Sequence, residues 1–363
     1  GIVVTGDSDV VNSNLTVRER NQNYGQPVLE FTSGSNVTIE ANEFSRNIGG
    51  FVGEDTQSVA VRNNDFTGET RNLGFTGPEF GAIPEAADIT VEGNDLPITV
   101  ERDQHVNNWF YAGDSIQSAV DNLVEDTTLS VGPGTYNESV SISTANVTLK
   151  GPNAGDAGYS DSRGDEATIT DKNGRLEINA ANVTIDGFNF EFGESAIYSS
   201  SGDDNLITNN RFELTGVTSD TYAVRVGGGS PGTDVTNNHF TDIVSDDGID
   251  GDNVNGIVVT DPRDTTVANN KFDTVDTGVN VGDKKPEAGT LVVKDNNFAN
   301  ITQFGAVALA NGDAGLDADV NNNTIESSSI GVGVYAGDSD SEIAVTDNNI
   351  VDVDTGVSAS GFT

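Results

Sequence analysis

Three stretches decide the reading: Ile207-Thr-Asn-Asn210-Arg-Phe212, Val235-Thr-Asn-Asn238-His-Phe240 and Val267-Ala-Asn-Asn270-Lys-Phe272. Each sets an apolar residue, two spacers, Asn, one spacer and Phe at the same offsets. The pattern extends in both directions, through Ile39/Asn42/Phe44, Val61/Asn64/Phe66 and Val91/Asn94/Leu96 on one side. On the other it continues as Val293/Asn296/Phe298, Val320/Asn323/Ile325 and Val345/Asn348/Ile350, and Ile185/Phe188/Phe190 is a variant lacking the Asn. Self-similarity at a fixed period marks a solenoid. Successive repeats lie mostly 22 to 32 residues apart, enough for one coil of short strands and too few for strand-helix-strand units.

A second motif precedes most repeats, Gly followed by alternating apolar residues, as in Gly256-Ile-Val-Val, Gly278-Val-Asn-Val and Gly305-Ala-Val-Ala, with Gly333 and Gly356 opening two more. Alternation with period two belongs to a strand with one buried face. Each repeat therefore reads as strand, corner, strand, Asn corner, Phe strand. Stacked as parallel strands about 4.8 Å apart, such rungs put Asn over Asn and Phe over Phe, so amides bond along a ladder and rings stack in the core. The fold expected is all-β, a right-handed parallel β-helix. Its Asn column is structural and carries no chemistry.

Composition agrees. The 363 residues are 34% hydrophobic and include 42 glycines, which suits many short strands with tight corners. There are 58 acidic and 17 basic residues, a formal charge of -41, which disfavours nucleic acid as a partner. Self-repulsion of that size loosens a fold at low ionic strength, but at ~1 M salt the screening length falls to roughly 3 Å. The charge is read as adaptation to brine. With no Cys and only His105 and His239, the chain has no disulfide, no thiol nucleophile and too few soft ligands for structural zinc. It holds no apolar run long enough to insert in a membrane, nor a signal peptide or initiator Met, and is read as a mature or excised piece. Seven Asn-X-Ser/Thr sequons, at Asn14, Asn36, Asn137, Asn146, Asn182, Asn300 and Asn322, fit an extracellular, glycosylated chain.

Between Leu96 and Thr148 the repeat lapses. Asp114-Ser-Ile-Gln-Ser-Ala-Val-Asp-Asn-Leu-Val spaces Ile116, Ala119, Val120, Leu123 and Val124 as one face of a short helix near 114–124, with Asp114 and Gln117 as its capping pair. Such a helix covers the open end of a new solenoid. Two segments are expected, 1–105 and 106–363, the second opening with this helix.

The run Ser115-Ile-Gln-Ser-Ala-Val, then Val131-Gly-Pro-Gly-Thr-Tyr-Asn-Glu-Ser-Val, then Val147-Thr-Leu-Lys-Gly resembles the opening segment of the pectin lyase-like β-helix superfamily. It is most similar to carbohydrate-binding and sugar-hydrolase-like repeat proteins of haloarchaeal surfaces. That resemblance implies the fold. It leaves function open among lyases, esterases, hydrolases, epimerases, viral tailspikes, copper-site maturation proteins and non-catalytic surface modules. Pectin methylesterases share the Gly134-Thr-Tyr136-Asn-Glu138-Ser-Val140 pattern, but their downstream pair of aspartates and arginine have no match here. The His-Gly and Arg-Ile-Lys elements of polygalacturonases are also missing beside Asp246-Asp247.

One column stands out. The residue after the ladder Asn is Arg211, His239 and Lys271 on three successive rungs, three stacked cations in a chain poor in them. They are the candidate catalytic residues. With Arg225, and with Trp109 as a stacking ring, they are also the candidate glycan-binding set, flanked by Arg263 and by Lys284 and Lys285. The same position carries Glu43, Asp65, Asp95, Asn297, Thr324 and Asn349 elsewhere, as a tolerant outward site does. The Gly-rich loop 246–256 offers Asp247, Asp250, Asp252 and Asn255 as hard oxygen ligands for Ca²⁺, without EF-hand spacing.

The chain opens with Gly1-Ile-Val-Val and closes with Gly356-Val-Ser-Ala, equivalent strands without an evident cap, which suggests a slice of a longer solenoid, or copies or neighbours meeting end to end. The expected function is an extracellular structural or adhesive surface module of a halophile, binding polysaccharide or cell-surface glycans and assembling end to end. The alternatives are a polysaccharide lyase, hydrolase or epimerase acting on acidic sugars, and a viral tailspike.

Overall fold

The computed structural model describes residues 2–5, 8–11, 14–15, 29–32, 36–44, 48–52, 56–66, 73–76, 88–96, 98–101, 110–113, 115–121, 123–171, 175–215, 221–245, 254–260, 262–282, 289–311, 315–336 and 341–360. Two compact units divide the chain, Gly1–Gly132 and Pro133–Thr363.

In the second unit the strands form three parallel faces of a right-handed β-helix. The first face runs through Val147–Lys150, Thr184–Asp186, Leu206–Thr208, Asp234–Thr236, Thr265–Ala268, Gly289–Lys294, Leu316–Asn321 and Glu342–Thr346. The second begins at Gly134–Tyr136 and Ala167–Asp171 and continues through Asn189–Phe192, Arg211–Leu214, His239–Ile243 and the start of Lys271–Val281. The third includes Val140–Ile142, Leu176–Ile178, Ser195–Ser199, Thr221–Val226 and Val254–Val259. On later rungs the second and third faces fuse into long bent strands, Lys271–Val281 and Asn297–Asn311, with a register shift between Val275 and Thr277 at the corner.

Each rung turns from the first face to the second at the Asn. The residue before it takes a left-handed conformation, as at Asn209 (φ 57°), Asn237 (φ 57°) and Asn269 (φ 56°), which explains the Asn-Asn and Asp-Asn doublets, since Asn and Asp tolerate positive φ. The second Asn turns inward and uses its whole bonding capacity. Asn238 Oδ1 accepts from the backbone N–H of Asn210 at 2.9 Å and from its Nδ2 at 3.2 Å. Asn238 Nδ2 donates to Ile207 O at 2.9 Å and to Asn270 Oδ1 at 3.1 Å. The same geometry links Asn270 to Asn296, Asn296 to Asn323, and Asn323 to Asn348. In the variant rung Phe188 fills the slot, and only its backbone N–H reaches Asn210 Oδ1, at 2.9 Å.

Inside the Asn column runs the Phe column. Rings of Phe190, Phe212, Phe240, Phe272 and Phe298 stack at centroid distances of 5.1, 4.9, 4.6 and 4.5 Å, all fully buried. On the later rungs a glycine of the third face makes room for them, Gly256 beside Phe272 and Gly278 beside Phe298. A Cβ on Gly278 would stand 2.7 Å from Phe298 Cε1 and 2.4 Å from Ala306 O. Ala306 and Gly331 share this register, so the slot read from Gly305 and Gly333 sits one and two residues away from them.

The first unit repeats the design on a smaller scale. Strands Asn36–Glu40, Ser58–Arg62 and Asp88–Glu92 pair in parallel, and Asn42, Asn64 and Asn94 form the same ladder, with Nδ2 to Oδ1 distances of 3.0 and 2.9 Å. Where the repeat lapses, direction reverses: Phe110–Gly113 pairs antiparallel with both Leu73–Thr76 and Ile98–Glu101, and the latter is antiparallel to Thr127–Val131. The helix is shorter than its apolar spacing predicts, Ile116–Val120. Its N-cap is Ser115, which accepts from the Ser118 N–H at 3.2 Å, so the capping pair read at Asp114 and Gln117 is displaced by one residue. Ile116, Ala119 and Val120 are buried against the strands of this unit.

Candidate functional site

Arg211, His239 and Lys271 lie side by side on the outer side of the second face. Arg211 is in register with His239, and His239 with Lys271, because parallel pairing of strands with identical turns leaves no freedom to slip. The column continues into Asn189 on one side and Asn297 on the other. Beside it, two residues on, runs a second outward column of Glu191, Glu213, Thr241 and Asp273. Lys271 Nζ is 3.8 Å from Asp273 Oδ2, an exposed pair on one strand.

Arg211 is engaged by the protein itself. Residues 151–166 leave the coil after the strand Val147–Lys150 and cross the Asn corners of the following rungs. Gly158 N–H donates to Asn237 O at 2.8 Å, and a Cβ there would stand 2.2 Å from Asn210 O, so only glycine allows so close an approach. Arg211 Nε donates to Gly158 O at 2.6 Å and its Nη2 to Ser160 O at 3.3 Å, while Nη1 lies 3.5 Å from Glu166 Oε1. Under the same loop Arg163, its side chain 1% exposed, makes a two-pronged pair with Glu166 at 2.9 and 2.8 Å. Its Nη1 also donates to Asn209 O at 2.6 Å and Asp156 O at 3.0 Å. Neither Arg163 nor Glu166 belongs to the periodic pattern, so the repeat could not reveal them. Their one signal is a basic residue inside a Gly- and Asp-rich insertion.

His239 stands between the two cations. Burial, then Lys271, then Arg211, lowers its pKa from 6.5 to about 4, against the opposing pull of Asp273 and Asp242. Its Nε2 is shut off from water and has no hydrogen-bond partner among the described residues. At neutral pH the imidazole is therefore uncharged, and a neutral imidazole can accept a proton.

Arg225 stands on the third face, in register with Tyr198 on one rung and Val258 on the next. Its guanidinium carbon is 5.1 Å from the centroid of the Tyr198 ring and 5.7 Å from that of Tyr222, and Arg175 lies 4.7 Å from Tyr198. Tyr198, Tyr222 and Arg175 were not among the residues the repeat pointed to. Their signal is the alternation Ser195-Ala-Ile-Tyr198 over Tyr222-Ala-Val-Arg225, readable only once the two strands are set in register. Arg175 also lines a shallow cleft with Glu138, Glu191 and Ser195 above a floor that includes Ile169, Phe190 and Phe192.

Asn255 is buried, and its Oδ1 accepts from Asn280 Nδ2 at 3.0 Å. Its three companions in the Ca²⁺ reading, Asp247, Asp250 and Asp252, lie outside the described residues, as do Trp109, Lys284 and Lys285. Among the described residues no cluster of His, Cys, Asp or Glu is arranged to hold a metal. The described sequon side chains, Asn36, Asn137, Asn146, Asn182, Asn300 and Asn322, are all exposed. No helix is long and apolar enough to cross a membrane among the described residues.

Residues 174–350 match the family described as "Right handed beta helix region". No curated protein matches the chain. Among solved structures, sacteLam55A from Streptomyces sp. SirexAA-E is similar at 11% identity and a TM-score of 0.25, over 86% of this chain and 73% of that one. With the stacked rungs, the Asn ladder and the family match on one stretch of chain, residues 174–350 are a right-handed β-helix region.

Proposed function

We propose that the chain is a structural and adhesive module on the outside of a halophilic cell, binding carbohydrate along the flank of its coil and joining copies of itself or neighbouring surface proteins end to end. The observation that carries the non-catalytic reading is the engagement of Arg211. A guanidinium that meets substrate needs its N–H donors turned outward, whereas Arg211 gives Nε and Nη2 to carbonyls of the crossing loop. The net charge of -41 supports life in brine, where charge repulsion is screened. The exposed sequons support an extracellular site.

A second reading, a polysaccharide lyase, hydrolase or epimerase, draws on His239, a neutral imidazole between two cations and beside Asp273. One assay separates them. Purified protein in ~2–4 M KCl, a range chosen for full charge screening, is incubated with uronate-containing polysaccharides. The module retains them without releasing unsaturated or reducing ends. Release of such ends, abolished by His239→Gln or Lys271→Ala, establishes the enzyme instead.

A further inference from the structure

We infer that Arg225, Tyr198, Tyr222 and Arg175 on the third face form a binding site for a carboxylated polysaccharide, a proposal that rests on the carbohydrate-binding reading above and gives it a place and a ligand class. Two other arginines of this unit show why the patch is unusual. Arg163 and Arg211 meet Glu166 and backbone carbonyls. Arg225 has neither an ion pair nor a hydrogen bond among the described residues, and its Nε is out of water and unpartnered. In a chain with 58 acidic residues, leaving this guanidinium without a carboxylate is a departure from composition.

What holds Arg225 is the stacking on Tyr198 and Tyr222, which fixes the plane of the fork while leaving its N–H groups uncommitted. Gly227 keeps the platform open on the next rung: a Cβ there would stand 2.8 Å from Tyr198 Cε2 and 3.1 Å from its hydroxyl. Arg175 covers Tyr198 as well, with Glu177 at 3.8 Å as a loose partner.

The chemistry selects the ligand. In concentrated salt, long-range attraction is screened out, so recognition depends on direct contact. A planar guanidinium binds a carboxylate through two parallel N–H···O bonds, and the half-buried ring of Tyr222 offers apolar surface to the C–H face of a sugar. Rungs repeat at about 4.8 Å, roughly one sugar residue, so a chain lying along the coil presents successive residues to successive rungs. On the cleft side, Glu138 and Glu191 are suited to accept hydroxyl donors and would repel a second carboxylate, which sets the acidic group at Arg225.

Calorimetry in ~2 M KCl with a galacturonate hexamer, a neutral hexose hexamer and a sulfated oligosaccharide tests the site. The wild-type chain binds the galacturonate best. Arg225→Ala weakens it about 10- to 100-fold, the loss expected for a charge-assisted pair. Arg225→Lys weakens it nearly as much because an ammonium has no fork, and it retains the stem where Arg225→Ala does not fold. Tyr222→Ala also weakens it, while Lys150→Ala, at an exposed position of the first face, leaves it unchanged. Galacturonate binding that survives both Arg225 variants overturns the site but not the carbohydrate-binding reading. Tighter binding of the sulfated or neutral oligomer overturns the ligand class, and absence of binding to all three overturns site and reading together.

Discussion

Replacing Asn238 by Ala removes one step from the ladder, and its cost follows from the bonds around it. The backbone N–H of Asn210 and the carbonyl of Ile207 each lose the partner given above, at 2.9 Å in both cases. Asn210 Nδ2 and Asn270 Oδ1 lose one bond and keep another, to Ile185 O and from the Asn238 backbone N–H. Asn238 is fully buried, so water does not replace what is lost. Two orphaned backbone groups at about 1–3 kcal/mol each, with two weakened amides, put the destabilisation at about 3–5 kcal/mol. Urea unfolding in ~2 M KCl, a salt level set for screening, reads it as a lower midpoint at unchanged slope. Asn237→Ala is the control: it leaves the ladder intact and costs about 1 kcal/mol, through the left-handed backbone. A loss under about 1 kcal/mol for Asn238→Ala refutes the ladder as a source of stability.

Three further outcomes follow from other parts of the molecule. Arg163→Ala strips the side-chain donor from Asn209 O and leaves Glu166 with Asn153 and Arg211 alone, so limited proteolysis should cut within 151–166 far faster than in the wild type, and equal rates would show that the loop holds without it. Because the folded pKa of His239 lies near 4 and the unfolded value at 6.5, the unfolded chain takes up a proton across that window and the folded chain does not. Stability therefore falls as pH drops from 6.5 towards 4, by about 1–2 kcal/mol after allowance for solvent screening, and His239→Gln removes that share of the slope in melts at pH 7 and 5. Ala41 occupies the corner that Asn63 and Asn209 fill elsewhere, at φ 54°, so Ala41→Asn should raise stability by about 0.5–1 kcal/mol, and a lower melting temperature would contradict the strain.

What the sequence made legible was whatever repeats. Asn210, Asn238 and Asn270 could be stacked on paper because each carries the same neighbours at the same offsets, and the register of Arg211, His239 and Lys271 came with them. The surroundings of that column could not be read this way. Arg211 bonds to Gly158 and Ser160, more than fifty residues back, through a loop with no periodicity. The lapse after Leu96 was visible, but not the reversal of strand direction within it, since alternation is the same for parallel and antiparallel strands. The tyrosine and arginine platform was hidden because Tyr198 and Arg225 meet only through strand register across 27 residues.

The stacked register itself is open to a direct chemical measurement, helped by the absence of native cysteine. Glu213, Thr241 and Asp273 occupy one outward column on successive rungs. Neighbours in such a column lie about 4.8 Å apart at Cα, within reach of a disulfide, and residues two rungs apart lie roughly 10 Å apart, beyond it. Mild oxidation of the double variant E213C/T241C should close a disulfide within the chain, seen as a mobility shift reversed by reductant, and E213C/D273C should stay reduced. A reduced first pair, or equal cross-linking of both, would contradict the parallel stacking on which the ladder, the cation column and the third-face site depend.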